Sequence, residues 1–395
     1  MKKTFPGRKP EAKKAFSAWK IGAGILFVLL ISLARSTFIV TINEKNGRFS
    51  VPEHQAVEED LLHPRLRFLR EREKLESVTA SGRTQFEKIV ALRKWTRSQW
   101  PPGSKFFYPP WDAVEILDLA RKHKNYGFCA QYGVVFLQAC LSMGIHARYL
   151  DIVGHFVTEV WSDEFDKWIL MDPNFDLHYE KNGIPLNARE ICEAYWKTGG
   201  ENLYSVDSAY KRTQIKKSDI ELFRMYALYL RNNQLANPVS MTRNGKSEKL
   251  EHAPDFRRYP QIGAGPSQVT YVHTAVAFKN DYAGENFTMW PLLTDSDTYT
   301  RPLNQTIINI VKSKDQDNRI KVVLLHDQAP AFGSFLVKFN DGAWQKAPER
   351  MAGELTPGFN KLSARILTKF GWQGPESSVT LFYKPAWPAK RGNSR

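Results

Sequence analysis

The chain has 395 residues and a formal net charge of +15, and 42% of its residues are hydrophobic and 13% aromatic. This content is sufficient to bury the cores of two ordinary domains, and it excludes a disordered protein. Much of the charge lies in a basic leader before residue 21, and no RNP, zinc-finger or helix-turn-helix pattern follows it. The charge therefore indicates a solvated basic surface, and no nucleic acid is expected as a partner.

An uncharged apolar run occupies residues 21–34, after the lysines of the leader. A membrane-spanning helix needs about 20 apolar residues, and the apolar residues 37–42 lengthen the segment to 21–42. The basic leader predicts a cytoplasmic N-terminus and a single-pass membrane anchor. The rest of the chain is then expected in the periplasm or at the cell surface. Residues 32–34 (SLA) also resemble a signal-peptidase site, so a cleaved and secreted form is the alternative, and a merely buried helix is a third reading.

Composition divides the chain into six segments. They are a basic cytoplasmic leader (1–20), the hydrophobic helix acting as anchor or signal (21–42), a polar spacer (43–64), an α+β domain (65–254), an all-β sandwich (255–385) and a basic tail (386–395). In the α+β domain, apolar residues first recur at helical spacings up to about residue 99, and then over 113–123 and 129–143. Strand-like alternation follows over 147–153, 155–161 and 168–171. This order predicts a helical lobe packed on an antiparallel sheet.

The C-terminal third reads as a second, all-β domain. From residue 269 onward, short β-rich segments recur between turns, as in TIINIV, IKVVLL, GSFLVKF and VTLFY. This pattern predicts a β-sandwich of about 120 residues, similar to immunoglobulin or fibronectin modules.

One of the three cysteines, Cys129, opens the most apolar of the predicted helices. A helix N-terminus favours a thiolate and offers backbone N–H groups to an oxyanion. Cys140 and Cys192 fall in mid-helix positions and read as small core residues. An exported protein with so few cysteines has no disulfide scaffold and keeps at least one free thiol.

His155 opens one strand of a predicted hairpin, and Asp172 closes the other. If Ser162 faces Lys167 across the turn, then Val157 faces Asp172, and His155 lies diagonal to Asp172 on the same sheet face. A loop of odd length would separate the two side chains. The even register therefore predicts an imidazole oriented by a carboxylate.

Four motifs resemble the transglutaminase-like superfamily, whose core is papain-like. They are GFCA at 127–130, GIHAR at 144–148, HFVTEV at 155–160 and WILMDP at 168–173, in the order that the family has them. The resemblance covers about residues 86–175 and implies that Cys129 is the nucleophile, His155 the base and Asp172 the orienting carboxylate. Val157 departs from the tryptophan common in the family.

The resemblance implies acyl transfer by a thiol enzyme on amide or peptide bonds of a protein or peptide substrate, by hydrolysis or by transfer to an amine. Gln99, Trp95 and Trp100 are candidates for the oxyanion donor. No HExxH, CxxC or carboxylate cluster occurs, so neither a metal nor a cofactor is expected. The alternative is an inactive, membrane-tethered protein that binds a cell-surface polymer or protein partner.

Overall fold

The helices of the protein are set by local capping signals and by one apolar segment. The computed structural model describes residues 37–49, 59–103, 111–122, 127–229, 232, 235, 239–243, 246–250, 275–278, 292–293, 299–312, 318–327, 329 and 331–386. The α-helices in these ranges are α1 (Pro64–Glu73), α2 (Leu75–Thr79), α3 (Gln85–Arg97), α4 (Ala113–Lys122), α5 (Cys129–Ser142) and α6 (Ala188–Thr198), and a 3₁₀ helix covers Lys217–Arg224.

The helix ends follow the expected chemistry. A capping box between Thr84 and Glu87 starts α3, and another between Asn187 and Glu190 starts α6. The left-handed residue Gly199 ends α6. Every residue of α5 except Cys129 is buried, so this apolar helix forms the centre of the helical lobe.

A mixed, mostly antiparallel sheet packs against α5. Its strands are β2 (Ala147–Ile152), β3 (His155–Ser162), β4 (Lys167–Asp172), β5 (Leu177–Lys181), β6 (Ile184–Pro185), β7 (Leu203–Asp207), β8 (Arg212–Gln214), β9 (Tyr226–Tyr229), β12 (Ala275–Phe278) and β13 (Leu292–Leu293). The order across the sheet is β13-β12-β9-β2-β3-β4-β5-β7-β8, with β6 paired to β5. The predicted helical lobe on an antiparallel sheet is confirmed.

A buried ion pair joins the sheet to α6. Arg148 Nε donates to Glu159 Oε2 at 2.9 Å across the β2–β3 pair, and Glu159 Oε1 accepts from the backbone N–H of Ala188 at 2.8 Å. The Arg148 guanidinium lies 4.0 Å from the ring centroid of Trp168. The contact of Glu159 with Ala188 fixes where α6 begins. Removing one member of the Arg148–Glu159 pair would leave a buried charge without its partner.

The C-terminal β-sandwich consists of a five-stranded and a three-stranded sheet. Its strands are β1 (Phe38–Lys45), β14 (Gln305–Lys312), β15 (Arg319–Asp327), β16 (Phe332–Phe339), β17 (Gln345–Ala347), β18 (Arg350–Glu354), β19 (Gly358–Thr368) and β20 (Ser377–Lys384). The sheets run β1-β20-β19-β16-β17 and β14-β15-β18. A separate hairpin joins β10 (Val239–Arg243) to β11 (Lys246–Leu250).

Two predicted boundaries are wrong. Residues 38–42, assigned to the hydrophobic helix, and 43–45, assigned to the spacer, form β1 and pair with β20. The β-branched residues of this segment favour an extended backbone, and Ile39 packs on the sandwich core. The predicted start of the sandwich at residue 255 is also wrong. Strands β12 and β13 lie after that residue but belong to the central sheet, where β12 pairs with β9 and β13 pairs with β12.

Residues 21–36 of the predicted hydrophobic helix lie outside the described residues. Within the ranges that the structure describes, no helix has the length and apolar character needed to cross a membrane.

The sandwich packs directly on the helical lobe. Trp372 donates its indole N–H to the carbonyl of Met143 at 2.9 Å, and the Phe370 ring covers Gly144. Gly144 has a φ of +73°, and a Cβ there would lie 2.2 Å from the Phe370 ring. Both the backbone conformation and the close ring therefore require glycine.

His146, near this junction, is expected to make the fold acid-sensitive. Its ring is 2% exposed, and neither ring nitrogen has a partner among the described residues. Burial and the nearby charge of Arg301 lower its pKa from 6.5 to about 4. Because the unfolded chain binds the proton first as the pH falls, stability is lost between about pH 6.5 and pH 4, by roughly 2 kcal/mol at pH 5.

The measurement is urea unfolding of the wild-type protein and of His146→Gln at pH 7 and pH 5. We expect the loss of stability between the two pH values to be about 2 kcal/mol smaller in the variant, whatever its stability at pH 7. Equal losses in the two proteins would show that His146 does not set the acid sensitivity.

Candidate active site

Cys129 is the first residue of α5, and its position is fixed by the residues just before it. Gln131 Oε1 accepts the backbone N–H of Phe128 at 3.1 Å, and Trp100 donates its indole N–H to the carbonyl of Gly127 at 3.0 Å. A Cβ on Gly127 would lie 2.4 Å from the Cβ of Gln131, so only glycine fits there. Cys129 itself is partly exposed. The thiol therefore sits at a rigid helix N-terminus that is open to solvent.

His155 and Asp172 meet on neighbouring strands. The β3–β4 register pairs Ser162 with Lys167 and continues to Thr158 opposite Met171, so the predicted even-loop register is confirmed. His155 Nε2 lies 2.7 Å from Asp172 Oδ2. The two side chains are 8% and 2% exposed, so this contact is shielded from water.

The second carboxylate oxygen of Asp172 is also occupied. Asp172 Oδ1 accepts the backbone N–H groups of Asn174 at 3.0 Å and Phe175 at 3.1 Å. This arrangement is an Asx turn, and it prevents rotation of the carboxylate. One oxygen is therefore held by the turn, and the other is directed at the imidazole.

His155 carries its charge at neutral pH. Burial lowers its pKa, but the hydrogen bonds and charges of Asp172 and Cys129 outweigh burial and raise the pKa from 6.5 to about 10. Asp172 contacts the imidazole directly, and Cys129 lies close enough to the imidazole to raise its pKa. Since Nε2 faces Asp172, Nδ1 is the ring nitrogen left to exchange a proton with the Cys129 thiol.

The other two cysteines have a different environment. Cys140 is fully buried, and burial raises its pKa well above the ordinary value. Burial raises the pKa of Cys192 to about 12, and its thiol lies 3.5 Å from the carbonyl of Arg224. Both thiols stay protonated, as expected of core residues.

The structure accounts for the proposed oxyanion donors in different ways. The Gln99 side-chain amide donates to the carbonyl of Trp95 at 2.8 Å and accepts from Arg121, and the Trp100 N–H is used by Gly127. Trp95 packs partly buried against the core of the lobe. The backbone N–H of Cys129 has no acceptor within the described part of the chain, so it is the donor that the geometry leaves for an oxyanion.

Two features behind the site were not predicted. The ring of Phe175, 60% exposed, lies 5.3 Å from the ring of His155 and covers its outer side. Arg93, fully buried on α3, donates from Nε to Asp176 at 2.9 Å and contacts His178 Nδ1 at 2.8 Å. The sequence signal that could have indicated this buried network is an arginine, Arg93, among the apolar residues on the buried face of α3.

The described residues contain no group of histidine, cysteine and carboxylate side chains able to hold a metal ion.

Residues 72–173 match the family model of the transglutaminase-like superfamily, and this match includes Cys129, His155 and Asp172. This segment is a transglutaminase-like domain. The four motifs of the sequence therefore lie in a recognised domain, and the strands from β14 to β20, together with β1, form the predicted C-terminal β-sandwich.

The chain has distant structural neighbours. A red sea bream transglutaminase is 12% identical, with 82% of this chain and 73% of that chain covered and a TM-score of 0.23. The extracellular domain assigned to a one component system from B. thetaiotaomicron is 12% identical, with 58% and 30% covered and a TM-score of 0.17. No curated protein matches the sequence.

Proposed function

We propose that this protein is a thiol enzyme that breaks amide or peptide bonds through an acyl-enzyme on Cys129. The observation that carries the proposal is the placement of Cys129, partly exposed at the start of α5 and close enough to His155 to raise its pKa, together with the 2.7 Å contact between the imidazole and the Asp172 carboxylate. In such an arrangement the thiolate attacks, the imidazolium moves protons, and the carboxylate orients the imidazole.

The proposed reaction has two stages. The thiolate forms a C–S bond to the carbonyl carbon, and the backbone N–H of Cys129 supports the oxyanion. His155 gives its proton to the departing amine as the C–N bond breaks, leaving a thioester. A water or amine then attacks the thioester while His155 takes its proton, and the C–S bond breaks to restore the thiolate.

The identity of the acceptor separates a hydrolase from a transferase. Both use the same three side chains, and water reaches any partly exposed site such as Cys129. We favour hydrolysis of a protein or peptide amide for this reason. The decisive measurement is the ratio of hydrolysed to amine-linked product at a fixed amine concentration.

The experiment for the function is to trap the acyl-enzyme. The full chain is incubated with a library of amide and peptide substrates, quenched in acid and analysed by mass spectrometry. We expect an acyl adduct on the peptide that contains Cys129. The adduct should vanish in Cys129→Ser and persist in the matched control Cys140→Ser. Unmodified Cys129 with every substrate class would count against the proposal.

We also propose that the folded domains lie outside the cytoplasm, tethered by the N-terminal apolar segment. The support is the basic leader before residues 21–34. Protease added to intact spheroplasts should digest the domains, and retention of residues 1–34 in the mature protein would favour an anchor over a cleaved signal. Domains that survive until the membrane is permeabilised would contradict this orientation.

A further inference from the structure

The five-stranded sheet of the sandwich has one face that packs on the core and one that points away from it. Along β20, Val379, Leu381 and Tyr383 are buried in the core, and the residues between them are partly exposed. The pairing of β20 with β1 and β19, and of β16 with β19 and β17, extends this second face across the sheet. We call it the outer face. Its apolar and basic members are Phe38, Val40, Lys338, Trp344, Lys346, Phe359, Lys361, Arg365, Phe382 and Lys384.

One edge of the outer face carries an exposed apolar cluster. The side chains of Phe359 and Val40 are 68% and 45% exposed. The ring of Phe382 lies between Phe359, at 5.2 Å, and Phe38, at 6.1 Å. Large aromatic side chains in contact with one another at the surface indicate an interaction site more strongly than scattered apolar residues do.

Cations are interleaved with these aromatics. The Lys384 ammonium lies 5.5 Å from the ring centroid of Phe38, and the Arg365 guanidinium lies 4.0 Å from that of Trp344. Lys361 contacts the carboxylate of Glu376 at 3.6 Å. Side chains of this kind, with an apolar body and a charged end, are typical of the boundary between hydrocarbon and lipid headgroups.

The position of β1 in the chain identifies the occupant. Phe38 follows the apolar run 21–34 after only three residues, and three extended residues span at most about 14 Å between the flanking residues. If the run is in a bilayer, the aromatic cluster is therefore close to the same bilayer surface. A soluble partner would have to enter the space of at most about 14 Å between the end of the apolar run and Phe38.

We infer that the outer face lies on the surface of an anionic bilayer, with Phe38 and Phe359 in the interface and the lysines over the headgroups. The inference rests on the proposed membrane location and not on the thiol chemistry. It implies that the sandwich holds the transglutaminase-like domain in one orientation above the membrane, so that the substrate is a molecule found close to the membrane.

The test places a nitroxide on the outer face. Phe359→Cys is made in a Cys129→Ser background and labelled. The full chain is then reconstituted in vesicles of phosphatidylcholine with about 30% phosphatidylglycerol, whose anionic surface attracts basic side chains. The matched control is Leu222→Cys, since Leu222 is also an exposed apolar residue but lies in the 3₁₀ helix of the other domain. Oxygen concentrates in the bilayer, and a nickel chelate stays in water. The extent to which each one relaxes the nitroxide therefore reports how deep the label lies in the bilayer.

We expect oxygen to relax the label at residue 359 several-fold more than the nickel chelate does, and the reverse at residue 222. Pure phosphatidylcholine or high salt should weaken the difference. A water-exposed label at 359 in a chain that is inserted and protease-accessible would overturn the inference while leaving the membrane location intact.

Two further outcomes overturn the inference and are distinguishable from the first. A chain that does not insert, with a water-exposed label, removes the membrane location as well. A label at 359 that is immobilised by a soluble polyanion such as dextran sulfate, but unaffected by the vesicles, assigns the face to a polyanion. Cys129 alkylation, measured separately on the wild-type chain, reports the thiol chemistry in every case.

Discussion

Replacing Asp172 by Asn is expected to lower turnover by orders of magnitude, up to about 10⁴-fold, with little change in the fold. The asparagine carbonyl can still accept the N–H groups of Asn174 and Phe175, which Asp172 Oδ1 accepts at present. Its amide nitrogen then faces His155 Nε2 in place of the carboxylate oxygen at 2.7 Å. The imidazole therefore loses the acceptor that fixes its orientation and its charge.

The same variant should change the pH dependence. The pKa of His155 is raised to about 10, so the imidazolium needed to protonate the departing amine is lost as the pH rises through that value. In the wild-type protein the proposed activity, measured as kcat/KM, should fall near pH 10. In Asp172→Asn this alkaline limb should move to lower pH, because the carboxylate that raises the pKa is gone.

Asp207→Asn is the matched control for this experiment. Asp207 also accepts backbone N–H groups in a turn, those of Ala209 and Lys211, but it has no contact with His155. We expect this variant to keep the wild-type pH profile. If Asp172→Asn turned over at nearly the wild-type rate, Asp172 would be a structural turn residue.

Cys129 is expected to react with iodoacetamide at pH 6 about 10²-fold faster than an ordinary exposed thiol. At that pH a thiol with a pKa of about 8.5 is less than about 1% thiolate, and only the thiolate reacts. Cys129 has an imidazolium beside it, because His155 stays protonated up to about pH 10. Cys140 and Cys192 should stay unlabelled, since burial raises both of their pKa values.

The readout is the rate of carbamidomethylation of each cysteine-containing peptide. His155→Ala should slow labelling of Cys129, whereas His326→Ala, a histidine in the sandwich, should leave it unchanged. Equally slow labelling of all three cysteines would favour an inactive binding protein. Repeating the measurement after limited proteolysis within residues 233–252 controls for a segment that covers the thiol.

The relation of His155 to Asp172 was predictable because strand pairing is local there. A short turn joins β3 to β4, and the two-residue period of a strand then fixes which side chains share a face. The position of Cys129 was predictable for a similar reason, since α5 is continuous in sequence and apolar on all sides. These parts of the site need no information from distant segments.

The parts that were not predicted depend on distant segments. Nothing within residues 38–45 indicates that their partner is a strand more than 300 residues away. Arg93 likewise acquires its role from Asp176 and His178, which only the fold brings to α3. The local sequence around an apolar run or a single arginine does not specify a partner that is distant in the chain. Sequence patterns therefore do not predict these two contacts.

The pairing of β1 with β20 also sets the order in which the molecule can be assembled. Because the first described strand needs a partner at residues 377–384, the transglutaminase-like domain is an insertion within the sandwich and not a module placed before it. During synthesis β1 has no partner until almost the entire chain has emerged. Strands β14 to β20 pair with one another without β1, so the inserted domain and most of the sandwich can form before β1 pairs with β20.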